Sequence, residues 1–110
     1  MPDNATEHAV RMFLEKIGRR YNVAGAILFG SRARGSYRPD SDADLAVLLH
    51  GPKSDPFPVI REMARIAFDV MLDTGILVEA LPIWLEDWEH PEQSSNPELV
   101  QNIQREGIAL

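Results

Sequence analysis

Two aspartates, Asp42 and Asp44, lie two residues apart at the start of a predicted strand. Because side chains alternate along a strand, both carboxylates should lie on one face, with Leu45 and Val47 on the other. Two ionised carboxylates this close repel each other, which raises their pKa values unless a cation lies between them. Mg²⁺ takes oxygen ligands and keeps substrate phosphates in its coordination shell. The pair therefore suggests a metal site, although two exposed turn acids after Pro39 would give the same pattern.

A second group of residues suited to chemistry lies just upstream, where Gly30 and Ser31 end a short apolar run. Glycine lets the backbone pass close to a ligand, and N–H groups at a helix start attract anions. The Ser31 hydroxyl and the Arg32 guanidinium add donors for phosphate oxygens. A Gly-Ser turn alone is more often only a turn. Combined with Asp42 and Asp44 on the adjacent strand, it predicts one site that holds both a phosphate and a metal ion.

The elements that must position these residues alternate between helix and strand. Apolar spacing of three and four residues predicts helices, and short apolar runs bounded by Gly and Pro predict strands. The order is α-β-loop-β-α-β-α, which indicates an α/β (α+β) fold: one domain over residues 1–110, with a small mixed sheet of three to four strands covered by helices. The predicted elements are a helix from Thr6 to about Tyr21, strands over 23–29, 43–49 and 76–83, a short helical segment near Arg32, a helix from Pro56 to Gly75, a helical turn over 85–90 and a last helix from Pro97 to Gly107.

Composition excludes several classes of protein. The 110 residues include no cysteine, so disulfide frameworks, thiol nucleophiles and cysteine zinc sites are excluded. No apolar run approaches the ~20 residues of a membrane helix, and the polar N-terminus does not resemble a secretion signal. We therefore expect a cytoplasmic protein without membrane contact. The net charge of -6 argues against direct DNA binding.

The net charge conceals an uneven distribution along the chain. Residues 11–38 carry seven basic groups and one acid, whereas residues 39–110 carry four basic and fourteen acidic groups. A basic stretch followed directly by the acidic cluster of Asp40, Asp42 and Asp44 could hold a phosphate and a metal ion together. Charge blocks alone, however, more often form a solvated surface. Arg34, Tyr37 and Arg38 fall in the loop between the two motifs and are more readily explained as solvated residues than as nucleotide contacts.

The combined motif resembles a known family. Gly30-Ser31, ten intervening residues and Asp42-Ala43-Asp44 are similar to the signature of the minimal nucleotidyltransferases (MNT) of the DNA polymerase beta superfamily. The extended segments Gly-Ser-Arg-Ala-Arg-Gly at 30–35 and Ser-Asp-Ala-Asp-Leu-Ala-Val at 41–47 also look like that family, as does the C-terminal segment from Asn96 to Ile108. The resemblance covers nearly the whole chain, and it implies a polymerase-beta-like nucleotidyltransferase core.

What the resemblance implies is Mg²⁺-dependent transfer of AMP from ATP to an acceptor hydroxyl. Asp42 and Asp44 would hold two Mg²⁺ ions, and Gly30, Ser31 and Arg32 would hold the triphosphate. Many members of the family are antitoxins paired with a HEPN ribonuclease toxin, and some silence that toxin by adding AMP to one of its tyrosines. The resemblance thus implies an enzyme that forms a hetero-oligomer with a HEPN toxin. A chain this short should borrow its acceptor contacts from a partner or from a second copy of itself, and of these we expect the hetero-oligomer.

Glu79 departs from the family pattern. Active members carry a third carboxylate, usually Asp, on the next strand, and the only candidate here is Glu79 inside an apolar run. A buried acid without a partner is costly, which favours a catalytic or metal-binding role for Glu79, including that of general base. Exposure at a sheet edge would explain the residue equally well. The departure leaves a degenerate antitoxin that acts by binding alone, and a nucleotide sensor without turnover, as alternative functions.

Overall fold

The structure, a computed structural model, describes residues 3–110. Helices and strands alternate along them in the order that the sequence predicts, with one additional strand at the end. The elements are α1 (Asn4–Ile17), β1 (Val23–Phe29), α2 (Gly30–Arg34), β2 (Ala43–Leu49), α3 (Pro56–Thr74), β3 (Val78–Trp84), α4 (Leu85–Glu89), a 3-10 turn (Pro91–Gln93), α5 (Pro97–Glu106) and β4 (Ile108–Ala109).

The strands form one mixed sheet in the order β3-β2-β1-β4. Strand β2 runs antiparallel to β1 and parallel to β3, and β4 pairs antiparallel with β1. Since β2 has a neighbour on both sides, its residues from Leu45 to Leu49 are all buried. The prediction of an α+β fold with a small mixed sheet is confirmed.

The two faces of the sheet are covered unequally. Leu45 and Val47 of β2 point into the larger core, which α1 and α3 complete with residues such as Phe13 and Met63. The opposite face carries Ala46 of β2 and is covered by a smaller cluster that includes Ile103 of α5. By strand alternation, Asp44 belongs to this second face. The carboxylates therefore lie on the less covered side of the sheet.

Helices α3 and α5 begin at side chains that cap them. The Asp55 carboxylate accepts a hydrogen bond from the backbone N–H of Phe57 at 3.1 Å, and Pro56 occupies the first helical position of α3. The Asn96 side chain accepts from the N–H of Leu99 at 3.3 Å at the start of α5. Such caps satisfy N–H groups that have no partner within the helix. Local chemistry alone was therefore sufficient to locate these helix ends.

Helix α1 is shorter than the apolar spacing predicts, because it ends at Ile17 and not near Tyr21. Tyr21 lies beyond the helix, and its hydroxyl donates to the Glu62 carboxylate on α3. Burial, together with this hydrogen bond, raises the pKa of Tyr21 to about 12. A tertiary contact thus accounts for the apolar spacing at Tyr21, which the sequence pattern assigns to the helix.

Two further bounds differ from the prediction. The third strand begins at Val78 and not at Ile76, because the N–H of Ile76 donates to the Thr74 hydroxyl at 3.2 Å and so belongs to the turn after α3. The sequence pattern does not predict strand β4, because two residues are too few to show an alternation of apolar and polar side chains. Over the described residues, none of the helices combines the length and apolar character needed to cross a membrane.

Candidate functional site

The structure brings the two predicted aspartates next to Glu79. In the sheet register, Asp44 of β2 lies opposite Glu79 of β3 on one side and Phe29 of β1 on the other. Asp42 precedes β2 by one residue, and the backbone N–H of Ala43 donates to the carbonyl oxygen of Leu77 at 2.9 Å. That hydrogen bond fixes the residue between the two aspartates against the segment that leads into β3. Three carboxylates thus share one end of the sheet.

Desolvation and the charges of neighbouring carboxylates raise the pKa values of two of these residues, Asp44 and Glu79. Burial raises the pKa of Asp44, the charge of Asp42 raises it further, and the charge of Arg34 partly offsets both effects. The pKa of Glu79 is also raised, first by partial desolvation of its carboxyl group, then by the charges of Asp44 and Asp42 and by a hydrogen bond with Asp42. A bound cation would relieve the repulsion, as the sequence analysis argues for the aspartate pair.

The donor chemistry fits Mg²⁺, although the side chains do not form a complete cage. Across residues 3–110, no three His, Cys, Asp or Glu side chains are grouped closely enough to hold an ion by themselves. Mg²⁺ is usually held by one or two carboxylates, with substrate phosphates and water in its other positions. Asp42 and Asp44 satisfy that requirement. Glu79 lies beside the pair on the edge strand β3, and it is more exposed than either aspartate.

Gly30 approaches Asp44 too closely for any other residue. Its φ of +73° lies in the left-handed region that favours glycine. A Cβ atom at this position would overlap Oδ2 of Asp44 and would lie 3.2 Å from its Cγ. Ser31 follows directly, so the Gly-Ser turn and the carboxylate face each other across β1 and β2, as the sequence predicts. The close approach also explains why the motif needs glycine before serine.

Arg32, predicted to bind the triphosphate, is instead occupied inside the protein. Only 3% of its surface is exposed. Its Nε donates to the carbonyl of Ser41 at 2.8 Å, Nη1 to the hydroxyl of Thr6 at 2.9 Å and Nη2 to the carbonyl of Pro39 at 3.1 Å. All three nitrogens therefore have protein acceptors. The structure does not place Arg32 as a free donor beside the carboxylates.

Arg34, which the sequence analysis treats as a solvated residue, is the arginine whose charge reaches the site. It is the last residue of α2, it is exposed, and it lowers the pKa of Asp44. A helix that begins at Gly30 places residue 34 one turn further on the same face. This spacing is the signal that would have identified Arg34 from the sequence. Arg34 thus provides an accessible guanidinium near Asp44.

An open groove of about 610 Å³ lies beside the three carboxylates. Asp42, Asp44 and Glu79 line it together with apolar side chains that include Ile60 of α3 and Leu99 of α5. Small-molecule sites commonly have volumes of about 300–1,000 Å³, with mostly apolar walls and a few polar groups that fix orientation. The groove therefore has the size and lining of a binding site, with its charged groups gathered at one end.

Comparison with known proteins agrees with this geometry. A structural neighbour from Sulfolobus solfataricus, described as a candidate nucleotidyltransferase, superimposes with a TM-score of 0.50 over 99% of this chain and 87% of that chain. At 21% identity, the likeness shows a shared fold. No curated protein matches the sequence significantly. The profile of the nucleotidyltransferase domain family matches residues 10–110, which includes every residue of the site. The chain therefore belongs to the nucleotidyltransferase domain family.

Proposed function

We propose that the protein transfers AMP from ATP to a hydroxyl group, expected to be that of a tyrosine, on a HEPN toxin and thereby acts as its antitoxin. The observation that carries the proposal is the position of Asp42 and Asp44 opposite the Gly30-Ser31 turn on adjacent strands. Family membership supports nucleotidyl transfer in general. The finer assignment of ATP, toxin and tyrosine rests on the resemblance of the extended motifs to the MNT antitoxins.

Each polar residue of the site has a proposed task. Asp42 and Asp44 would hold Mg²⁺, which when bound neutralises charge that develops on the phosphates during in-line displacement. The turn at Gly30 and Ser31 would bind the triphosphate through its backbone N–H groups and the Ser31 hydroxyl. Arg34 would supply the positively charged side chain for the phosphates in place of Arg32, because its guanidinium is exposed near Asp44. These groups together would orient the α-phosphate toward the acceptor.

We assign to Glu79 the task of accepting the proton of the attacking hydroxyl. Before a cation is bound, desolvation of the Glu79 carboxyl group and the charges of the neighbouring aspartates raise its pKa, which makes it a stronger base than an ordinary surface glutamate. It is exposed on the edge strand, so an incoming side chain can reach it. The open groove beside it would admit the tyrosine of a partner protein. We therefore assign the acceptor to the Glu79 side of the site.

The proposal is tested by transfer of label to the partner. The protein is incubated with Mg²⁺, its proposed HEPN partner and ATP labelled on either the α- or the γ-phosphate. Nucleotidyl transfer labels the toxin from α-labelled ATP only, with release of pyrophosphate. Label from the γ-phosphate would indicate a kinase, and no label from either would contradict catalysis. The double variant Asp42→Asn/Asp44→Asn serves as the inactive control.

A second candidate function is neutralisation by binding alone. The observation that favours it is the replacement of the family's third aspartate by an exposed glutamate. The same double variant separates the two functions in cells that express the toxin. Loss of protection in the variant supports catalysis. Full protection by the variant, with no label on the toxin, would support the binding-only antitoxin.

Glu79→Gln tests whether the third carboxylate takes part in the reaction. Removing a general base typically costs about 10²–10⁴-fold in rate, so we expect a fall of that order in kcat for toxin labelling. Glu79→Asp, which restores the family's usual residue, should retain measurable activity. Glu86→Gln, an exposed substitution on α4, provides the matched control and should label the toxin at the wild-type rate. A wild-type rate for Glu79→Gln would show that Glu79 is merely an exposed edge residue.

A further inference from the structure

The segment that carries Asp42 has few contacts of its own. Between α2 and β2, residues 35–42 form turns and extended backbone without a strand or helix. Within this loop, the N–H of Ser41 donates to the carbonyl of Arg38, and the N–H of Arg38 donates to the Ser41 hydroxyl, both at 3.0 Å. These bonds close a small turn but do not attach it to the core. Something else must hold the loop in place.

Arg32 makes that attachment. Its guanidinium donates to the carbonyl oxygens of Pro39 and Ser41 and lies over the Tyr37 ring, 4.5 Å from the ring centroid. One planar side chain thus contacts three alternate residues of the loop, the last of which directly precedes Asp42. A guanidinium can do this because its donors have a fixed fork geometry, which a lysine ammonium lacks. The contacts fix the path of the backbone into Asp42.

The far side of the guanidinium is fixed by Thr6 of α1. Thr6 is fully buried, and its hydroxyl accepts from Nη1 of Arg32 at 2.9 Å. The backbone N–H of Thr6 is already bonded to the Asp3 carboxylate at 2.7 Å in the cap of α1. Because α1 packs on the larger core, Thr6 is a rigid anchor. The loop is therefore linked through Arg32 to the first turn of the first helix.

We propose that Arg32 is a positioning residue, and that with Thr6 it holds the loop so that Asp42 can bind the divalent cation. The proposal rests on the proposed function in so far as Asp42 is taken as a metal ligand. It replaces the expected contact between Arg32 and the triphosphate with an indirect role. Groups that orient metal ligands contribute to affinity, and their removal typically weakens metal binding by about 10–100-fold.

The Thr6 hydroxyl provides the sharpest test, because it contacts Arg32 and lies outside the groove that the carboxylates line. Thr6→Val removes the acceptor and keeps the shape, whereas Thr6→Ser keeps the hydroxyl. Two readouts are independent of turnover: hydrogen–deuterium exchange of the loop over residues 35–42, and Mn²⁺ affinity measured by electron paramagnetic resonance. For Thr6→Val we expect faster exchange in the loop and about 10-fold weaker Mn²⁺ binding. Thr6→Ser should remain near wild type in both.

Arg32→Lys is the second variant, and ATP binding without divalent cation is its additional readout. We expect faster loop exchange and weaker Mn²⁺ binding, with metal-free ATP affinity unchanged. Weaker metal-free ATP binding with a protected loop would show instead that Arg32 contacts the nucleotide. If Arg32→Lys fails to fold, the Thr6 pair still decides the question.

The outcomes separate this inference from the proposed function. Unchanged Mn²⁺ affinity in Thr6→Val would overturn the positioning role, even if the wild type labels its toxin. A wild-type protein that binds Mn²⁺ but transfers no nucleotide would overturn the proposed function. In that case, a weaker Thr6→Val site would still support the role of Arg32.

Discussion

Replacing Asp44 by asparagine should abolish nucleotidyl transfer and, at neutral pH, make the folded protein more stable. The loss of activity follows from removing a carboxylate that would hold the cation, and we expect at least about 10²–10³-fold, as for loss of a single electrostatic stabiliser. The gain in stability follows from the raised pKa of Asp44, which reflects burial and the charge of Asp42. Relief of one such repulsion is worth about 0.5–1 kcal/mol, or about 2–6 °C in Tm.

The pH dependence of that gain has a definite sign. A pKa that is raised in the folded state means that the folded protein is more stable with this carboxyl group protonated than with it ionised. The stability of wild type associated with Asp44 is therefore fully present below the carboxyl's unfolded-state pKa and is lost as the pH rises through the higher folded-state value. In thermal melts at pH 7, the Tm of Asp44→Asn should be higher than the Tm of wild type. The two curves should converge at acid pH.

Magnesium should reverse the order of stabilities. Since a ligand that binds only the folded state stabilises it, added Mg²⁺ should raise the Tm of wild type and leave that of Asp44→Asn nearly unchanged. Asp40→Asn is the matched control, because Asp40 is an exposed acid of the same loop. It should alter neither activity nor the response to Mg²⁺. An Asp44→Asn protein less stable than wild type without metal would contradict the assigned repulsion.

The second large effect is expected for Gly30→Ala, through two separable causes. The left-handed backbone at Gly30 disfavours any side chain by about 1–2 kcal/mol. The new Cβ would also displace the Asp44 carboxylate, which it overlaps. Displacing a reacting group by about 1 Å can cost about 10²-fold in rate. We therefore expect loss of both stability and toxin labelling, measured by thermal melts and by the transfer assay.

Gly75→Ala isolates the first cause from the second. Gly75 ends α3 with a φ of +79°, and a Cβ there would meet no atom within 4 Å. The variant should lose about the same 1–2 kcal/mol of stability and retain its transfer rate at temperatures where it is folded. Equal losses of activity in the two variants would show that the approach of Gly30 to Asp44 does not matter for the reaction.

Local chemistry made much of the scaffold predictable. Strands β1 and β2 have the bounds that their apolar runs predict, because residues that favour turns flank each run. The close approach of Gly30 to Asp44 could also be anticipated. Two short strands joined by one loop bring the end of the first close to the start of the second. The family's motif adds the chemistry of these residues. Most of the candidate site therefore follows from one stretch of eighteen residues, 30–47.

Other features depend on partners that are distant in the sequence. Lys53, to which the sequence assigns no role, pairs with the Asp87 carboxylate at 2.8 Å. Tyr21 continues the apolar spacing of a helix in the sequence, but it lies beyond α1 and contacts Glu62. Strand β4 exists because Ile108 and Ala109 meet β1, and two residues carry no period of their own. Such contacts are decided by which elements pack together, and no local pattern records that choice.

The sequence by itself placed Asp42, Asp44 and the Gly30-Ser31 turn at the facing ends of two adjacent strands, because strand periodicity puts both carboxylates on one face. Only the tertiary structure decided which of the two arginines is accessible to a ligand. Arg32 and Arg34 are equally suited to phosphate by residue type. Packing against Thr6 and the loop buries the first, whereas the end of α2 leaves the second exposed beside Asp44. Donor chemistry is a property of the residue, but access to a ligand is a property of the fold.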